Sequence, residues 1–476
     1  MARTVPAACL FMILIVGSGL RVWAADGDLW IDEVWSLNQM RVAASSAGWN
    51  DWIAVFFHAN THPLNTLYMR FIDGWPALIG SPMAYRALSI VSGICSIALV
   101  GWWGWRRNPA TAIIITSLFA FSYPMINYAA EARGYGVLIL ATLAASNALK
   151  SYLDAPNAKM IILFVTFSLL GLLSHPTFVV VQAGLGFSAL AALYSARRNV
   201  VSTLAKLVRL FGLQLIAISV FGAVAVNNMI RGGGCCPEPA LESIRIMADW
   251  TFGLDANEII SVVPLIVLSI SLIVIIVNMM RGKNHMWITL TIVVVIFPLI
   301  TLIIEDKPNV IHRYYLISAV YALLMIGLGL SYLWQKGGWR RAVCTVFLAL
   351  FCVGNTDLLF KFSQGGRGQY SRVIEIIARS STGIQRISGF HNFSVGTLVR
   401  HHVHLKELDG RLQFVDRKDE SQNPPAWFIN GYLDGKAPTS QITRGQTAYH
   451  LIKTYPQWGL SGDTWALYKR SATEDG

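Results

Sequence analysis

The chain has 476 residues, 54% of them hydrophobic and only 13% charged. A soluble globular domain is about a quarter charged, so a wholly soluble fold is excluded. The 38 basic side chains against 26 acidic ones give a formal net charge of +12, yet no basic run is interleaved with aromatics as a nucleic-acid surface requires. Of the six cysteines, Cys9, Cys95, Cys344 and Cys352 lie in apolar runs, and Cys235 and Cys236 are adjacent in a loop, so no disulfide framework can be read.

Apolar stretches long enough for roughly 30 Å of hydrocarbon recur near 5–24, 84–104, 110–127, 134–150, 159–174, 176–195, 207–227, 259–280, 286–304, 313–333 and 342–360. They predict a polytopic α-helical membrane protein with about eleven spans. The first stretch has a rival reading as a cleaved signal peptide, with Arg3 ahead of an apolar core and small residues at Ala24 and Ala25. If the spans alternate from an inside N-terminus, Arg106, Arg107, Lys150, Arg197, Arg198, Arg281, Lys283, Lys336 and Arg340 share one side, which the positive-inside rule assigns to the cytoplasm. The acidic residues before residue 361, Asp154 excepted, fall on the other side.

Residues 26–83 are too polar to span and too aromatic for a free linker. Around Trp30 to Arg41 a helical plot puts Trp30, Val34 and Leu37 on one stripe and Asp32, Ser36 and Gln39 opposite. Trp49, Trp52, Ile53, Phe56 and Phe57 repeat the spacing, and Pro63 to Ile79 carries Asn65, Arg70 and Asp73 among apolar residues. These segments predict interfacial helices on the outer leaflet. Beyond Phe360 no apolar run is long enough to span. Strand-like segments at 412–416, 426–430 and 464–468, with helical ones at 371–379 and 395–403, predict a small C-terminal α/β domain on the outer face. The expected division is 1–360 for the membrane module and 361–476 for that domain.

The spanning interiors hold almost no ionisable side chains, Arg21, near the outer end of the first span, being the exception. A transporter or flippase holds its cargo with polar groups near the midplane, so the blank interior weighs against that alternative. A non-catalytic envelope-glycan assembly protein is a second alternative; it would need no convergence of reactive groups. The titratable groups gather in the outer loops: Asp32, Glu33, His58, His62, Arg86, Glu131, Arg133, His175, Glu305, Asp306, His312 and Arg313. They share the depth at which headgroups meet water, where a lipid-phosphate substrate would be handled. Asp32 and Glu33 point about 100° apart on a helix, and Asp32 lies in the middle of the polar arc, which makes it the better base; a solvated helix face is the plain alternative. Arg133 precedes a spanning helix whose N-terminal N–H groups and dipole favour an anion, and its guanidinium fork matches phosphate; Glu131 could orient it. Arg313, between His312 and Tyr314, could be a second clamp or a snorkelling cation, and Arg86 reads the same way. His58 and His62 are four apart, a spacing that can bind metal on a helix, but Pro63 disfavours helical geometry at His62. His175 is either part of the pocket wall or a satisfied interfacial histidine. No cofactor motif is present, and a divalent cation stays open.

The order Arg21, Leu29-Trp30-Ile31-Asp32-Glu33-Val34-Trp35-Ser36, His62-Pro63-Leu64, Arg86, Tyr123-Pro124, Glu131-Ala132-Arg133-Gly134-Tyr135, His175 and Arg313-Tyr314 resembles bacterial GT-C glycosyltransferases. The resemblance lies with the dolichyl-phosphate-mannose protein mannosyltransferases and the lipid A aminoarabinose transferase, and covers mainly residues 15–180. Leu64 replaces the second proline usual after His-Pro. The resemblance implies a GT-C fold and a polyprenyl-phosphate sugar donor. It also implies catalysis by the aspartate of the Asp-Glu pair, here Asp32, and donor-phosphate contact by the arginine of Glu-Ala-Arg, here Arg133. The expected function is inverting sugar transfer to a glycan, lipid or protein acceptor on the periplasmic face of a bacterial inner membrane. Glu33 accompanies Asp32 as a catalytic candidate. The candidate substrate-binding residues are His58, His62, Arg86, Glu131, Arg133, Tyr135, His175, His312, Arg313 and Tyr314.

Overall fold

The computed structural model describes residues 4–46, 48–58, 60, 62–228, 239–255, 262–304, 311–420, 424–432 and 437–471. Glu305, Asp306, Cys235 and Cys236 lie outside the described residues. The chain forms two compact units, the first being Met1–Ala25, Ser46–Phe71 and Tyr85–Leu358, and the second Asp26–Ser45, Ile72–Ala84 and Leu359–Gly476.

The first unit is helical. Among the described residues eight helices are long and apolar enough to cross a bilayer: Thr4–Ala24, Pro82–Trp105, Tyr135–Asp154, Phe178–Ala196, Val200–Val224, Trp287–Ile304, His312–Lys336 and the one that begins at Trp339. Shorter apolar helices, Pro109–Phe121, Ala158–Ser174 and Ser269–Arg281, stand at other expected positions. The chain is therefore a multi-pass membrane protein. Tyr135–Asp154 and Ala158–Ser174 form a tight hairpin, and Pro109–Phe121 packs against both Thr4–Ala24 and Leu316–Lys336.

One expected span is corrected. The stretch 110–127 breaks at Ser122, whose extended backbone separates Pro109–Phe121 from the short helix Tyr123–Tyr128, with Pro124 in the latter's first turn. At 1.5 Å per residue the 13-residue helix reaches only about 20 Å. A break inside an apolar stretch strands backbone groups that must find partners. Buried Arg21 supplies the donors on one side, giving hydrogen bonds to the carbonyls of Phe119 at 2.9 Å and Ala120 at 3.3 Å, and to its own helix at Gly17 at 2.8 Å. Buried Asn355 supplies the acceptor on the other, its Oδ1 taking the Tyr123 N–H at 2.6 Å while its Nδ2 donates to the Phe351 carbonyl at 2.9 Å. Arg21 thus has a backbone-capping task. A second irregularity is the π-helical turn Ile292–Ile296, just ahead of Pro298, which lacks the N–H to continue the ladder. Ser318 Oγ donates to the Val293 carbonyl there at 2.7 Å.

The second unit is a mixed sheet with helices. Its strands are β1 (Gln385–Gly389), β2 (Leu412–Phe414), β3 (Trp427–Tyr432), β4 (Gln441–Arg444), β5 (Thr447–Tyr455) and β6 (Thr464–Arg470), in the order β2-β1-β3-β6-β5-β4. β1 runs parallel to β2 and β3, and the remaining pairs are antiparallel. Helix Ser394–Leu405 is the crossover from β1 to β2; it packs on helix Tyr370–Arg379 and on helix Ile31–Ser45. Trp35 meets Phe393 edge-on at 4.7 Å, and the Ser371 N–H donates to Asp28 Oδ2 at 2.7 Å. Arg41 pairs with Asp73 at 2.7 Å, which ties Ile72–Ala84 into the same unit.

Replacing Asn355 by Ala leaves the buried Tyr123 N–H without its acceptor, and should cost about 1–3 kcal/mol. The expected result is a lower unfolding temperature in detergent, measured beside wild type in the same micelle; an unchanged temperature would remove the capping role.

Candidate functional site

The first unit gathers its polar residues around Arg133. The loop Ala129–Gly134 leads into helix Tyr135–Asp154, and its backbone is tied down twice: Asn65 Nδ2 donates to the Ala132 carbonyl at 2.6 Å and Ser89 Oγ to the Arg133 carbonyl at 2.7 Å. Gly134 is required sterically, since a Cβ there would stand 2.1 Å from the Ser174 carbonyl oxygen. With the backbone fixed, the buried guanidinium donates from Nε to His62 Nε2 at 3.2 Å and from Nη1 to Asn60 Oδ1 at 2.9 Å.

The tautomer of His62 follows from its partners. Its Nδ1 lies 2.8 Å from the Ser174 carbonyl, which can only accept, so Nδ1 carries the hydrogen and Nε2 presents the lone pair that Arg133 needs. Burial, then the charges of Arg133 and Arg313, hold its pKa well below the usual imidazole range, so the ring stays neutral. His175 stacks on it at 5.1 Å between ring centres. Burial first, and then the same two arginines, lower the His175 pKa to about 3. Its Nδ1 accepts the Thr177 N–H at 3.2 Å, which puts the hydrogen of the neutral ring on Nε2. Tyr135 closes the group at 5.1 Å from His62 and 5.3 Å from His175, with the Arg133 guanidinium carbon 5.4 Å from its ring centre. Tyr314 lies 6.0 Å from His175.

His312–Tyr315 form one 3₁₀ turn ahead of helix Leu316–Lys336, and helix Ala240–Phe252 packs on that turn. His62, Arg133, Tyr135, His175, Arg313 and Tyr314 are thus neighbours. Other candidates have tasks of their own. Glu131 accepts from Asn127 Nδ2 at 3.1 Å. Arg86, fully buried, donates to the Ala25 carbonyl at 2.8 Å, just past the C-terminus of Thr4–Ala24. His58 Nδ1 accepts the Asn60 N–H at 3.2 Å, shaping the loop that presents Asn60. Among the described residues no group of three His, Cys, Asp or Glu side chains could hold a metal ion. Asn60 is the member that sequence reasoning missed; its signal was a short polar loop, His58 to His62, between two aromatic-rich helices.

In the second unit, Glu33 is fully buried and its Oε2 accepts the Trp30 N–H at 3.1 Å, the reach-back of a capping box at the start of Ile31–Ser45. Asp32, one residue earlier, is only half-buried. Its charge acts on Asp463, also missed from the sequence, whose carboxyl is pushed up to about 6 by burial and then by the charge of Asp32. The loop carrying Asp463 is fixed by Tyr370, whose hydroxyl accepts the Asp463 N–H at 2.9 Å and donates to the Arg367 carbonyl at 2.7 Å. Gly462 has φ +111°, and a Cβ there would stand 1.9 Å from the same Arg367 oxygen.

No family model matches the chain, and no curated protein sequence does. The fold is similar to that of ArnT. The crystal structure of ArnT from Cupriavidus metallidurans in the apo state aligns over 98% of each chain with a TM-score of 0.56, at 12% identity. The expected combination of a membrane module of apolar helices and a C-terminal mixed sheet is therefore present, in an ArnT-like fold.

His62→Ala should strand the buried Arg133 Nε–H and the Ser174 carbonyl, costing about 1–3 kcal/mol, with His62→Gln recovering part of the loss. Gly134→Ala should lower stability by a similar amount, because the Ser174 strut cannot yield cheaply. Both are read as unfolding temperatures in one detergent, and wild-type values would contradict the described tie.

Asp463 predicts a pH effect. Between the ordinary 3.8 and about 6 the folded state keeps a proton that the unfolded chain has released, so stability should fall as pH rises across that window. Asp463→Asn should flatten this slope and raise stability above pH 6. Unfolding temperatures of both proteins from pH 4 to 8 that run parallel would refute it.

Proposed function

We propose that the protein is an integral-membrane glycosyltransferase that moves a sugar from a polyprenyl-phosphate donor to an acceptor hydroxyl or amine on the periplasmic face of a bacterial inner membrane. The observation that carries this reading is the Arg133 cluster: a buried guanidinium oriented by two neutral acceptors, His62 Nε2 and Asn60 Oδ1, with the charge of Arg313 close enough to depress both His62 and His175. Two cations arranged in advance beside neutral rings suit a phosphate on which charge builds as a glycosidic bond breaks.

In this reading Asp32 takes the proton from the acceptor, the acceptor oxygen or nitrogen bonds to the anomeric carbon, and the C–O bond to phosphate breaks. The electron pair leaves with the polyprenyl phosphate, whose growing charge Arg133 and Arg313 hold. The phosphate is already a stable anion when it departs, so no general acid is needed at its oxygen. One displacement inverts the anomeric centre, whereas retention would need a carboxylate nucleophile and a second step. Tyr135, His175 and Tyr314 form the wall around the clamp, and the similarity in fold to ArnT supports a transferase of lipid-linked sugars.

Mass spectrometry of glycolipids and glycoproteins from a deletion strain should reveal a species that returns when the wild-type gene does. Asp32→Asn should fail to restore it, with transfer down roughly 10²–10⁴-fold. Arg133→Lys, which keeps the charge but loses the fork, should fall roughly 10²–10³-fold. Restoration by Asp32→Asn at wild-type rate would sink the assignment of the base.

A further inference from the structure

A cavity of about 110 Å³ opens within the first unit, lined by the far ends of Pro82–Trp105 and Tyr135–Asp154, the middle of Leu316–Lys336 and residues near Met286. Tyr135–Asp154 begins beside Arg133, and Lys150 lies 15 residues further on, about 22 Å away at 1.5 Å per residue. The cavity therefore sits at the opposite end of that helix from the Arg133 cluster and is separate from it.

Its wall is largely apolar, with Leu99, Val100, Leu143, Leu290, Met325 and Leu328. The Ser146 and Tyr321 hydroxyls in the wall are used internally: Ser146 donates to the Thr142 carbonyl at 2.7 Å and so accepts from Tyr321 at 2.6 Å. Arg107 and Lys150 are the charged residues of the lining. Arg107 lies over the Trp103 ring, 3.5 Å from its centre, and Lys150 pairs with Asp154, whose charge also acts on Arg107. One carboxylate against two cations leaves the mouth positive. An apolar slot between spanning helices, with a cationic mouth at their ends, complements a chain of hydrocarbon that ends in a negative headgroup. A zwitterionic headgroup would bring its own cation against Arg107 and Lys150.

We propose that this cavity binds one acyl chain of an anionic glycerophospholipid, with the lipid phosphate held by Arg107 and Lys150. Basic pockets between spanning helices on the cytoplasmic side are the usual seats of such headgroups. Each cation near the headgroup is worth roughly a fivefold change in affinity.

The test is native mass spectrometry of the full chain in detergent, titrated with phosphatidylglycerol, with phosphatidylcholine of identical acyl chains, or with inorganic phosphate. One phosphatidylglycerol should remain bound under activation that strips phosphatidylcholine. Arg107→Gln and Lys150→Gln should each weaken it roughly fivefold and the pair roughly 25-fold. Leu143→Trp, which fills the slot and keeps both cations, should abolish it. Circular dichroism and elution volume confirm that each variant is folded; Leu328→Phe replaces Leu143→Trp if the latter is not. Equal retention of the two lipids, unchanged binding in the double variant, or unchanged binding in the filled one would each overturn the proposal. So would inorganic phosphate binding as tightly as the lipid, which would leave a bare anion site.

Discussion

The bond from Arg133 Nε to the neutral Nε2 of His62 is the constraint on which the first unit's polar cluster turns. A buried cation must be hydrogen-bonded. The neutral imidazole of His62 supplies one acceptor that orients the guanidinium. The imidazole is neutral because it is buried beside Arg133 and Arg313, and its lone pair faces Arg133 because the Ser174 carbonyl claims Nδ1. Remove the close approach of Gly134 to Ser174, and the carbonyl that sets the tautomer moves. The cluster's hydrogen bonding thus depends on a close backbone approach between Gly134 and the last residue of helix Ala158–Ser174.

Apolar length made most of the spanning helices legible, because a bilayer demands it of every segment that crosses. It failed at 110–127, where hydropathy stays high across Ser122-Tyr123-Pro124 although the helix stops. The stop is tolerated because Arg21 and Asn355, about 100 residues before it and over 230 after it, satisfy the freed backbone groups. A local window contains neither partner. In the C-terminal sheet, the expected strands at 412–416, 426–430 and 464–468 match β2, β3 and β6, which carry the apolar runs. β1, β4 and β5 were missed. β1 is short and polar at its start, and β4 and β5 bury mainly alternate residues, although Gly445 at φ +59° marks the turn between them.

Residue type and order made the candidate site partly legible. Arginine ahead of an apolar helix and histidine before proline pointed to loops that the fold brings together around Arg133. What sequence could not supply was bonding. Asn60 is invisible until His58 folds the loop, and Glu33, as acidic as Asp32, is spent on the Trp30 N–H. Asp463 lies more than 400 residues from Asp32, and only folding makes the two carboxylates neighbours.

The packing also bears on what the C-terminal sheet is for. Helix Ile31–Ser45, which carries Asp32, belongs by its contacts to the second unit, where it packs on Ser394–Leu405 with Trp35 against Phe393. Asp28 accepts the Ser371 N–H at the start of Tyr370–Arg379, so the segment leading into the Asp32 helix is pinned by the C-terminal unit, just as Tyr370 pins Asp463. A 15-residue helix is marginal in isolation and takes its stability from the surface it covers. The sheet unit therefore determines where the Asp32 carboxylate points and which charge it meets, and a chain ending at residue 360 would keep Asp32 in its sequence while losing the packing that orients it.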